Sequence, residues 1–183
     1  MSTSMENTES DIEFLRDVYS LARNKYRPAT ISTLLVAEAP PCNLDRYFYF
    51  EDVKRQDSLF LEIMGILYPE QKDRYLKSGR ATDQKEGLLE RFKEDGFWLL
   101  DLAEVPTDFV NNDLESCLPS LTQRLEKYIN KTTPVILIKT NVYDLCYAPL
   151  KALGYNVHDS RMPFPGSGQQ KVFREKFGQA VNF

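Results

Sequence analysis

Histidine, tryptophan and cysteine are scarce in this chain of 183 residues, with one, one and three copies. The lone histidine, His158, argues against a histidine-based metal site or a catalytic triad. Cys42, Cys117 and Cys146 lie far apart and form no C-x-x-C. They suit a reducing compartment, expected to be the cytoplasm, and argue against zinc or an iron–sulfur cluster. No apolar run approaches the roughly 20 residues that span a bilayer, so no membrane partner is expected. The polar, acidic start carries no secretory signal pattern. A global excess of positive charge is also missing. The net charge is -4, which excludes a globally basic nucleic-acid binder.

The composition is otherwise that of a globular protein, with 42% hydrophobic and 27% charged residues. The length suffices for one core. Neither repeats nor linkers are visible, so residues up to about Glu9 read as a disordered tail and 10–183 as a single domain, expected to be a monomer. Charge is uneven along it. Acids dominate the first 20 residues, whereas Arg161, Lys171, Arg174 and Lys176 face Glu175 alone near the end. That basic segment reads either as a solvated helix face or as a contact for phosphates.

Ser10 with Glu13 has capping-box spacing, ahead of the stripe Ile12, Leu15, Val18 and Ala22. Thr30 to Ala37 is a short, β-branched apolar run and reads as a buried strand. Arg46-Tyr47-Phe48-Tyr49-Phe50 follows as an aromatic segment, with an aromatic strand as its plain reading. Asp57 or Ser58 is placed to cap a helix through Leu67, and Pro69 to open another. Asp83 with Glu86 repeats the capping spacing before a helix that Gly96 ends. Phe97 to Leu102 and Val135 to Ile138 read as the second and third strands. A helix from about Val142 to Gly154 contains an awkward Pro149. Tyr155-Asn156-Val157 begins a short fourth strand, and a last helix carries Phe173 and Phe177. Strands alternating with helices predict an α/β fold with a parallel sheet covered on both faces.

In such sheets, ligands sit beyond the carboxyl ends of the strands. The first strand delivers Glu38 there, before Pro40 and Pro41 stop it. The second delivers Asp101. The fourth delivers the loop Met162 to Gln170, whose glycines let backbone N–H groups approach an anion. Glu38 reads as a catalytic acid or as a solvated loop residue. The loop reads as a ligand cradle or as a turn.

Taken in order, these segments resemble the uracil-DNA glycosylase superfamily. Ala37-Glu38-Ala39-Pro40-Pro41 is similar to its first motif, closest to the Gly-Glu-Ala-Pro-Gly version of the iron–sulfur branch. Gly96-Phe97-Trp98-Leu99-Leu100-Asp101 resembles the strand motif that ends on a base-reading Asn. Phe164-Pro165-Gly166-Ser167 resembles the last motif, usually His or Asn, then Pro, then a small residue. The resemblance runs from residue 31 to 177. It implies a three-layer αβα fold with a four-stranded parallel sheet of order 2-1-3-4. It also implies hydrolysis of an N-glycosidic bond in DNA.

Such cleavage leaves an oxocarbenium-like sugar and a base carrying negative charge. The resemblance places Glu38 as the acid that positions water, and Phe48 or Phe50 as the ring stacking on an extruded base. Those rings read equally as core. Asp101 falls at the base-reading position, and the Phe164, Pro165, Gly166, Ser167 and Gly168 loop at the leaving group. Lys171, Arg174 and Lys176 are the candidate phosphate contacts of weak, salt-dependent DNA binding. Three departures matter. Phe164 donates nothing where the family has His or Asn. An ionised Asp101 only accepts, where Asn both donates and accepts. The cluster-binding cysteines are absent, so no cofactor carries over. His158 reads as a strand-end surface residue.

Three functions remain open. The first is a glycosylase for a damaged or unusual base, not limited to uracil. The second is a catalytically inactive relative that binds a nucleobase, nucleotide or single strand. The third is an unrelated α/β protein.

Overall fold

The three apolar runs form the three strands of one sheet. In the computed structural model, which describes residues 9–166 and 168–182, they are β1 (Thr33–Ala37), β2 (Phe97–Asp101) and β3 (Val135–Leu137). The sheet is parallel, with order β2-β1-β3. Nearly every strand residue is buried, whichever way its side chain points. Both faces are therefore covered, as parallel sheets require.

Among the described residues, seven helices surround it: α1 (Glu9–Lys25), α2 (Ser58–Leu67), α3 (Pro69–Lys77), α4 (Thr82–Glu94), α5 (Leu118–Tyr128), α6 (Thr140–Ala152) and α7 (Gln170–Val181). Two short 3-10 turns, Thr107–Val110 and Glu115–Cys117, lead into α5. Glu9, expected in the tail, opens α1. Residues 1–8 and Ser167 lie outside the described residues.

Register determines what the strand ends deliver. Ala37 pairs with Asp101, and Val36 with Leu137. Glu38 and Lys139 thus leave the sheet close to Asp101. At the opposite end, Gly96 turns the chain into β2 at φ +81°. A β-carbon there would lie 2.3 Å from the Ser32 hydroxyl, so only glycine fits.

Among the described residues a continuous fourth strand does not form. Two isolated parallel bridges replace it, Val135 with Val157 and Ile138 with Met162. Between them the chain advances three residues on the β3 side and five on the other. That mismatch breaks the ladder, and Pro163 has no N–H to resume it.

Local capping also differs from expectation. Asp57 occupies the N-cap of α2 without a side-chain bond to the helix. Ala81, not Asp83, occupies the N-cap of α4. The aromatic segment is irregular rather than a strand, although Tyr47, Phe48 and Tyr49 are all buried. The cause is hydrogen bonding. β2 is an edge strand, and the Tyr49 hydroxyl accepts from Leu99 N (2.7 Å) and donates to Leu99 O (3.0 Å). This closes an otherwise unpaired backbone edge. Pro149 sits within α6, near its end.

Candidate functional site

A cleft of about 470 Å³ opens at the carboxyl ends of the strands. Glu38, Asp101, Phe48 and Phe164 line it together, with Lys139, Arg46 and Asp57.

Glu38 follows β1 directly, and its carbonyl accepts from Ala103 N at 2.9 Å, which fixes the backbone. Both Lys139 Nζ and Asn141 Nδ2 donate to its Oε2. The Asn141 carbonyl oxygen accepts from Val142 N at 2.9 Å, so the amide is held with its NH₂ toward the acid. Ile138 N donates to Val36 O at 2.8 Å and anchors the end of β3. Lys139 then adopts φ 84°, ψ 137°, a region that side chains other than glycine rarely enter. Backbone strain of this kind costs about 1–3 kcal/mol and clusters at functional sites. Here it turns an ammonium onto Glu38.

Asp101 is 3% exposed. Its Oδ2 accepts from the Tyr47 hydroxyl at 3.2 Å. Behind it, Arg124 donates to the carbonyls of Asp101 (2.8 Å) and Leu102 (2.9 Å). Burial raises the Asp101 carboxyl to about 6, and the charge of Glu38 adds to this. Arg23, Tyr47 and Arg124 oppose the shift without cancelling it. Among the described residues no basic side chain lies within 4 Å of this carboxylate. Burial and Asp101 together hold the Tyr47 phenol protonated.

Asp57 forms another part of the wall and is 5% exposed. Lys85 and Arg80 lie 3.4 and 3.5 Å from its Oδ2, yet that oxygen accepts no hydrogen bond. Lys85 is completely buried, and its ammonium sits 4.2 Å from the centre of the Phe60 ring. Burial lowers it to about 8, with Asp57 opposing.

The other expected site residues are dispersed. Phe48 lines the cleft but is only 6% exposed, packed edge-on against Tyr49 and Phe60. Phe50 does not line the cleft and stacks on Tyr19. Phe164 stands at the rim, 41% exposed. Pro165, Gly166 and Gly168 are not part of the lining. On α7, Arg174 is held by Glu62 of α2 at 2.6 Å, and Lys176 donates to Arg161 O. Lys171 is exposed. His158 is half-buried, its Nδ1 accepting from Ser160 N at 3.1 Å.

Lys139, Asn141, Arg46, Tyr47 and Asp57 were not anticipated as site residues. Lys139 could have been found by the rule that found Glu38, since it leaves β3 as Glu38 leaves β1. Asp57 carries the sequence signal of a helix cap, which hid its other role. Among the described residues, no group of three or more His, Cys, Asp or Glu side chains is placed to hold a metal ion. Nor is any helix among them long and apolar enough to cross a membrane. Compared with known families, curated proteins and solved structures, the chain matches none.

Proposed function

We propose that this protein hydrolyses the N-glycosidic bond of a damaged or unusual base in DNA, as a divergent relative of the uracil-DNA glycosylases. In this reading the two parallel bridges at Val157 and Met162 are the remnant of a fourth strand in the order 2-1-3-4. The observation that carries the proposal is one cleft holding two strand-end carboxylates of different character. Glu38 is fixed by a cation and an amide at the opening, and Asp101 is buried beside an aromatic wall.

The chemistry assigns one task to each. The base enters against Phe48 and presents its polar edge to Asp101. The sugar lies over Glu38, whose negative charge stabilises the oxocarbenium-like transition state. The C1′–N bond breaks with its electron pair going to the base. Water bonds to C1′ and gives its proton to Glu38. Lys139 and Asn141 are positioning residues that hold the carboxylate in place. DNA binding is weak and salt-dependent; its phosphate contacts are Lys171, Arg174 and Lys176 on α7, joined by Arg46 at the cleft. The reading places the protein in the cytoplasm as a monomer.

A specific observation favours a second reading, a relative that binds bases without cleaving them. Phe164 offers no donor to a departing anion, and the amides of Gly166 and Gly168 lie outside the cleft. A panel of oligonucleotides, each bearing one uracil, hypoxanthine or alkylated purine, separates the two. Base release by wild type and its loss in Glu38→Gln supports hydrolysis. Saturable binding without release supports the second reading.

A further inference from the structure

The polar groups of the cleft are sorted by depth. Among the described residues its buried polar side chains are two acids, Asp57 and Asp101, and one phenol, Tyr47, whose hydroxyl is already donated to Asp101. The basic side chains, Arg46 and Lys139, are only partly buried and sit at the opening, each engaged by a neighbour, Gln56 and Glu38. At Asp101 the floor therefore accepts hydrogen bonds and attracts positive charge, whereas Asp57 is already faced by Lys85 and Arg80; at the rim Arg46 attracts negative charge, while Lys139 is paired with Glu38. The Phe48 ring completes the floor and also favours a cation, whereas the Phe60 ring already has the Lys85 ammonium 4.2 Å from its centre.

We propose that the cleft selects nucleotides whose base is cationic, as N-alkylated purines are, with the phosphates at the rim. The inference rests on the base-cleaving reading and names its substrate class. An uncharged base such as uracil presents carbonyl acceptors to a buried carboxylate, an unmatched and costly pairing. A cationic base supplies the missing charge. Arg23 and Arg124 stand behind Asp101 and Glu38 stands beside it, yet burial still outweighs the two arginines in setting the Asp101 proton affinity. The leaving-group chemistry agrees. When the C1′–N9 bond breaks, the electron pair neutralises the ring's positive charge, and the base departs neutral. Water bonds to C1′ and its proton passes to Glu38. No anion forms on the base, so no donor is required where Phe164 stands.

The test titrates wild type with adenosine and 1-methyladenosine, a cation, at about pH 7.5, where Asp101 is ionised. Binding is followed by backbone amide shifts. The cation is expected to bind about tenfold tighter or better, with shifts at Phe48 and Asp101, and Asp101→Asn is expected to erase the preference. Equal binding, no binding of either nucleoside, or a preference that survives in Asp101→Asn overturns the proposal. Base release from oligonucleotides bearing 7-methylguanine or uracil is measured in parallel. Cation preference without release from either oligonucleotide keeps the ligand class and removes the base-cleaving reading. Uracil release without cation preference does the reverse.

Discussion

Glu38 with Lys139 and Asp57 with Lys85 are both acid–lysine pairs bordering the same cleft, in opposite surroundings. The side chains of Lys139 and Glu38 are 37% and 22% exposed, whereas those of Lys85 and Asp57 are 0% and 2% exposed. The open pair is built at strand ends on a strained backbone and carries an amide that orients the acid. The sealed pair is built between the start of α2 and the body of α4, with Arg80 as a third member and Oδ2 of Asp57 and Nζ of Lys85 lacking hydrogen bonds. A buried pair is weak evidence for stability but is costly to break. The sealed pair therefore holds the wall, and the open pair faces the mouth of the cleft.

The largest expected stability effect follows from breaking the sealed pair. Lys85→Ala leaves Asp57 buried with only Arg80 and should lower unfolding free energy by about 3 kcal/mol in urea titrations. Removing both charges, as Asp57→Asn with Lys85→Met, should recover most of that loss. A loss below about 1 kcal/mol for Lys85→Ala would show that Lys85 is not needed to balance Asp57.

Asp101 gives an effect of similar size with a defined pH dependence. Its carboxyl is raised to about 6 from an ordinary 3.8. The folded state binds the proton more tightly than the unfolded state, so this stability is present below about 3.8 and is lost as pH rises through about 6. The difference is on the order of 3 kcal/mol. Asp101→Asn keeps an acceptor for Tyr47 and has no charge to bury. It should be more stable than wild type by about 2–3 kcal/mol above pH 7, with the gain vanishing near pH 4. Parallel stability curves for the two proteins would contradict this.

These two acids show how much was legible. The apolar runs of β1, β2 and β3 announced buried strands, because a parallel strand covered on both faces needs little but aliphatic side chains. The strand-end rule then named Glu38 and Asp101. The fourth strand failed on a count of residues between Val157 and Met162, which only pairing with β3 reveals. Tyr49 read as part of an aromatic strand, and its edge-closing role depends on where Leu99 sits. Asp57 resembled a cap because sequence cannot show Lys85 and Arg80 arriving from α4 and the turn before it. The strand-end rule also reaches Lys139, but its strained backbone, which aims the ammonium at Glu38, has no sequence signature.

The open pair yields a smaller stability effect. Lys139→Gly removes the side chain from its disfavoured backbone region, whereas Lys139→Ala keeps the strain and loses the same ammonium. Gly should be more stable than Ala here by about 1 kcal/mol, the reverse of the usual order. Both variants should lose base release, because Glu38 loses its positioning cation. Equal stabilities would mean that Lys139 carries no strain.

The central claim is that Glu38, held at the mouth of a cleft with Asp101 on its floor, drives departure of a base from deoxyribose. Single-turnover release of the base from an oligonucleotide bearing 7-methylguanine, compared between wild type and Glu38→Gln, tests it most directly. Gln keeps the hydrogen bonds and removes the charge, so the rate should fall by about a hundredfold or more, roughly 2.7 kcal/mol of barrier, with DNA affinity unchanged. Equal rates in the two proteins, or no release by wild type from either the 7-methylguanine or a uracil oligonucleotide, would contradict the claim.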